Sequence, residues 1–207
     1  NLFNEKVHNY DKFQDISSLK NTCKGQDIYV IGSGTTCNYI KNSFFSNKIT
    51  IGINQVYVKY DCDYIILKDN QSFEYLFSKN VKSKIIISEY SSGVYDLGFN
   101  LFKINRNINF DNIFYFKHNN NVGKKDVNFM NINNDKYLLV SWSTVVSAVN
   151  LSVHLGAKNI ILVGIDEKIL DGKYNFDQYS EIKNEISNKY IIENSKSNDY
   201  KNYIDSD

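Results

Sequence analysis

Proline is absent from these 207 residues, methionine and tryptophan occur once each, and histidine three times. The missing proline goes with abundant Asn, Lys, Ile and Tyr, a bias expected of an A/T-rich coding sequence, and it carries no functional reading. Cysteine is scarce as well. Cys23, Cys37 and Cys62 share no metal-ligand spacing, and any disulfide would leave one thiol over. This speaks against a disulfide framework and for a reducing, cytoplasmic setting, free or peripheral to an inner membrane. Long apolar runs are also lacking: Ile160–Val163 and Tyr64–Leu67 are far too short to cross a bilayer. No secretory signal pattern is recognisable, and the start at Asn1 rather than Met is compatible with a missing leading segment. Charge of one sign is lacking too. With 24 basic and 23 acidic residues the net charge is +1, so no global field recruits nucleic acid.

What is present suits one globular domain over residues 1–207, long enough to bury a real core. Asp27–Ile31 is a short apolar, β-rich run closed by Gly32-Ser33-Gly34. Ile49–Ile53, Tyr64–Leu67, Lys84–Ser88, Ile113–Phe116 and Ile160–Val163 have the same character. Continuous apolar runs, rather than strict alternation, suit strands buried on both faces of a parallel sheet. Helical candidates lie between them at Thr36–Phe45, Ser72–Ser78 and Ser143–Leu155. The last has Ser143 as N-cap and Gly156 as its stop. The alternation predicts an α/β fold, Rossmann-like and doubly wound, with a mainly parallel sheet and helices on both faces. Its core is expected at about residues 26–176. Residues 93–136, rich in Asn and Lys, read as irregular insertions around one strand. Tyr179, Ile182, Ile186 and Tyr190 share a face of an expected C-terminal helix over about 178–196.

Ligands of open parallel sheets bind where loops leave the carboxyl ends of the strands. That rule selects Gly32–Thr36, Asn54-Gln55, Lys68-Asp69, Gly164–Asp166 and the helix start at Ser143-Thr144. In Gly32-Ser33-Gly34-Thr35-Thr36 the glycines permit close backbone approach, and a following helix would offer free N–H groups to a phosphate. The turn is half of a dinucleotide fingerprint. Cys37 stands where the third glycine would be, and Asn54 stands where NAD would need an acid. No P-loop lysine follows. The competing reading is a tight turn with no ligand. Ser143-Thr144 form a second candidate anion site, or a simple N-cap. Asp166 closes a strand and is expected to face the crevice, whereas Asp171-Gly172 reads as a turn. Asp61-Cys62-Asp63 matches the metal-holding DxD pattern but precedes its strand, the wrong end of the sheet, so Asp69 is the better carboxylate. His8, His118 and His154 are scattered, and His154 reads as a packed helix residue.

The blocks IYVIGSGTT, IGINQVY and STVVSAVNLSVHLGAKNIILVGID resemble the bacterial sialyltransferases of glycosyltransferase family 42 and the related MptE-like proteins of domain-of-unknown-function family 115. The likeness covers about residues 24 to 196 in scattered blocks. It implies a CMP-sugar donor held by Ser33, Asn54, Gln55, Asp69, Ser143 and Thr144, beside the phosphate turn already read at Gly32, Gly34 and Thr35, with Asp166 matching the family's GID and Tyr174 near the donor phosphate. The departures are equally specific. Asn194 stands at the place of the family's general-base His, Lys168 at a second tyrosine, Ser141 at an arginine, and Thr35-Thr36 at Pro-Ser. Asn cannot accept a proton at neutral pH, so that base is lost.

The expected function is therefore a nucleotide-sugar-dependent glycosyltransferase linked to surface glycan synthesis. Asp166, Asp69 and Tyr174 are its catalytic candidates, a glycan is the acceptor, and no metal or other cofactor is required. A homo-oligomer is compatible with this reading. Two alternatives stand beside it. One is an MptE-like pyrophosphokinase with ATP and Mg²⁺ at Asp69 and Asp166. The other is a catalytically inactive module that binds nucleotide or sugar.

Overall fold

A computed structural model describes residues 14–68, 76, 79, 81–88, 110–120, 134–141, 143–166, 169–170 and 172–182. Eight strands are defined: β1 (Gln14–Asp15), β2 (Asp27–Ile31), β3 (Ile49–Ile53), β4 (Tyr64–Leu67), β5 (Lys84–Ser88), β6 (Ile113–Asn120), β7 (Tyr137–Val140) and β8 (Asn159–Val163). They form one sheet in the order β1-β6-β5-β4-β3-β2-β8, and every pairing is parallel. The long β6 has room for two neighbours on its outer side. β1 pairs with its first part and β7 with Lys117–Asn120.

Alternate residues of β2 face opposite layers, as the pleat demands. Ile28 and Val30 join Ile51, Tyr64 and Ile66 under helix α1 (Thr144–His154), whose Leu151 packs into the same core. Ile31 lies on the other face with Ile65, Val56, Tyr60 and Phe176. The buried apolar runs are thus those of a parallel sheet covered on both sides. α1 follows its sequence signals. Ser143 Oγ accepts a hydrogen bond from Val145 N at 3.2 Å, and Gly156 takes φ 86° just beyond the helix.

The second layer departs from expectation. Thr36–Phe45 is not one helix but two short 3-10 helices, Thr35–Tyr39 and Asn42–Phe45, separated by extended Ile40 and Lys41. Thr, Cys and Asn are weak helix formers. The carbonyl of Cys37 is moreover taken by Tyr60 Oη at 2.7 Å and Lys59 Nζ at 2.5 Å, and Ile40 O accepts from Tyr60 Oη at 3.1 Å. Side chains thus complete carbonyls that a longer helix would have used. β7 and the second half of β6 were likewise not foreseen. The C-terminal helix, α2, begins at Asp177, and its residues 177–182 are described, with Tyr179 buried. Of the expected Ser72–Ser78 helix only Leu76 is described, helical and buried.

Candidate functional site

The chain steps from β2 outward through β3, β4, β5 and β6, then returns through α1 to place β8 on the other side of β2. The direction of winding therefore reverses between β2 and β8, where doubly wound folds open a ligand crevice. Gly32–Thr36 and Gly164–Asp166 both leave the sheet at this point.

The two loops close on each other. Gly32 N donates to Val163 O and Gly34 N to Gly164 O, each at 2.8 Å. A Cβ on Gly32 would lie 2.5 Å from Gly164 O, and one on Gly34 would lie 2.4 Å from the Asp166 carboxyl. Both glycines are thus required by the approach of the chain to itself. Asp166 is clipped to the turn: its Oδ2 accepts from Thr36 N at 2.8 Å and its Oδ1 from Thr36 Oγ1 at 2.7 Å. The carboxylate occupies the place at the turn where a phosphate was expected. Ser33 Oγ donates to Asn175 Oδ1 at 2.8 Å, Thr35 Oγ1 to Lys173 O at 2.8 Å, and Phe176 N to Ser33 O at 2.9 Å. The segment after β8 therefore folds over the turn. Tyr174, on this segment, is 73% exposed.

On the other side of β2 a polar rim remains. The register sets Ile31 beside Gly52, Ile53 beside Ile66 and Leu67 beside Ile87, so the residues following β2, β3 and β4 lie on neighbouring strand ends, each one residue further along than the last. Asn54 stands directly after β3 with φ 54°, a left-handed backbone that asparagine tolerates better than most residues. Gln55 next to it also departs from helical angles, and both are half-buried. Lys68, half-buried after β4, donates from Nζ to Ser141 O at 3.1 Å. That bond ties the rim to the start of α1, where Ser143 is exposed and Thr144 buried. The structure thus brings Ser33, Asn54, Gln55, Ser143 and Thr144 to the carboxyl side of the sheet. Asp69, Lys168 and Asn194 lie outside the described residues. Lys68 received no role from its sequence neighbourhood, and its only signal was its place at a strand end.

Away from the rim the polar candidates are structural. Asp63 Oδ2 accepts from Thr50 N and Thr50 Oγ1 at 2.9 Å each, and Asp61 Oδ2 accepts from Asn42 Nδ2 at 2.9 Å, all at the amino end of β4. Burial pushes the Cys37 thiol up to about 11 and the Cys62 thiol to about 12, which removes thiolate chemistry at neutral pH. His154 Nε2 lies 2.7 Å from Ile16 O at the far end of α1. Among the described residues no group of three or more His, Cys, Asp or Glu could hold a metal ion, and no helix is long and apolar enough to cross a membrane.

No protein family, curated protein or solved structure matches the chain. The likeness to the sialyltransferases rests on the residues quoted for it.

Proposed function

We propose that this chain is the nucleotide-binding domain of a glycosyltransferase-like protein that takes a nucleotide sugar, with the nucleotide lying on the rim from Asn54 to Ser143. The observation that carries this reading is the row of Asn54, Gln55 and Lys68 on successive strand ends, tied by Lys68 to the start of an eleven-residue helix. Lys68 supplies positive charge for the donor phosphates, and the positive end of the α1 dipole adds to it. Asn54 and Gln55 supply amide donors and acceptors for a base or ribose. Stabilising the departing nucleotide by such preorganised donors is how a transferase without metal gains most of its rate. Asp166 acts in this reading as a staple of the Gly-rich turn, because both its oxygens already accept hydrogen bonds.

The same engagement of Asp166, with Asn194 at the place of the family base, favours a binding module as the second reading. It speaks against the pyrophosphokinase, which needs the Asp166 oxygens for Mg²⁺. Calorimetric titration separates the three. CMP or a CMP-sugar should bind without metal, and Lys68→Ala should weaken binding roughly 10- to 100-fold, as loss of a charge-assisted hydrogen bond does. Binding of ATP alone, and only with Mg²⁺, would sink the transferase reading. Binding without donor hydrolysis or transfer would leave the module.

A further inference from the structure

The two edges of the sheet are treated differently. At β7, Leu139 N donates to Asn150 Oδ1 of α1 at 3.0 Å, and Leu139 O accepts from Ser147 Oγ at 2.8 Å. Helix side chains thus complete the strand's free polar groups and block further pairing. Beside it, Lys20 and Lys136 form ion pairs with Asp135 and Asp15 at 2.7 and 2.8 Å. This is a guarded edge.

β8 is the opposite. It pairs with β2 alone among the described residues. Its central residues are apolar yet incompletely covered: Ile160, Ile161 and Val163 are half-buried, and Leu162 is 51% exposed. The exposed large apolar side chains of the described residues come from three places: β8 (Leu162), the loop after it (Ile169, Leu170, Tyr174), and the segment after its neighbour β2 (Tyr39, Phe44). Phe44 packs edge-on to Tyr29, the β2 residue that pairs with Ile161.

We infer that β8 is a dimerisation edge, and that a second copy of this chain pairs with it antiparallel about a two-fold axis. The strand is self-complementary for that operation. With the axis at Ile161, Asn159 of one copy faces Val163 of the other, and Ile160 faces Leu162. Antiparallel partners project to the same face, so Leu162 lands on the Ile160 of its mate beside the α1 layer, and each copy covers the other's half-exposed row. Covered in full, the six side chains would contribute an upper limit of roughly 600 Å² per copy, about three whole large residues, from both faces of the sheet beside β8. Two copies would bury at most about 1,200 Å², the lower end of specific interfaces. A closed two-fold pairing also removes the edge, whereas an open one would invite indefinite growth of the sheet. The inference does not depend on which ligand the rim takes.

Light scattering coupled to size exclusion tests it on the whole chain across a concentration series. A dimer is expected, and Leu162→Lys should convert it to a monomer because it sets a charge beside its mate's apolar row. Tyr174→Glu, at a 73% exposed side chain, should weaken it with the fold intact by circular dichroism. Asn150→Asp, at the guarded edge, should leave any surviving folded protein dimeric. A monomer at every concentration overturns the inference. So does a dimer indifferent to Leu162→Lys and Tyr174→Glu, or a monomer that instead co-sediments with anionic lipid vesicles.

Discussion

Gly34 shows how a single residue serves two readings. A glycine after β2 suggested room for a phosphate, and the structure fills that room with the Asp166 carboxylate and the Gly164 carbonyl. Gly34→Ala should therefore destabilise the fold by about 1–3 kcal/mol, the usual cost of overpacking, as read from urea denaturation. Asp166→Ala removes the carboxyl that the new Cβ would strike, so the double variant should cost less than the sum of the two single changes. Strict additivity would show that the Asp166 carboxyl is not what the new Cβ strikes. The Gly164 carbonyl, 2.7 Å from the same Cβ, keeps the rescue partial.

At the scale of elements, α1 connects the rim to the amino-terminal segment. Ser143 caps one end, and at the other His154 Nε2 meets Ile16 O while Asn21 N donates to His154 O at 3.0 Å. Burial holds the His154 imidazole below its ordinary 6.5, against the bond to Ile16 and the nearby Asp135 and Asp15, which favour the charged form. A lowered folded value means that the unfolded chain binds the proton first. This contribution to stability is present above pH 6.5 and is lost as pH falls through the lowered value. The urea midpoint should drop across that window, and His154→Gln, which can still donate to Ile16 O, should flatten the slope. An unchanged slope would assign the effect to other groups. The segment Thr36–Phe45 carries the complementary lesson. Its apolar spacing allowed a helix, but Lys59 and Tyr60, 22 and 23 residues from the Cys37 carbonyl they bond, supply the donors that break it in two. No local pattern contains that information.

For the whole molecule, all three thiols are buried and free, and those of Cys37 and Cys62 are held in the protonated form by burial. A thiol reagent at neutral pH should leave the native chain unlabelled and titrate three groups in denaturant. Fast labelling of the native protein would mean that a face of the sheet opens readily. The layered α/β plan, the parallel sheet, most of its strands and both caps of α1 were legible in the sequence, because apolar run length, a hydroxyl N-cap and a terminal glycine act locally. Asn54, Gln55 and the Ser143-Thr144 helix start were legible as rim residues for the same reason, since strand ends can be read once strands are. The closure of the Gly-rich turn was not. Thr36 and Asp166 are 130 residues apart, and Ser33 and Asn175 are 142 apart; their contact exists only because the winding reverses and sets β8 against β2. Sequence by itself determined the layers and the strand ends, through hydrophobic periodicity and backbone preference. Tertiary structure decided that the strand end at the Gly-rich turn is shut, because that depends on hydrogen bonds between segments that only the folded sheet brings within 3 Å.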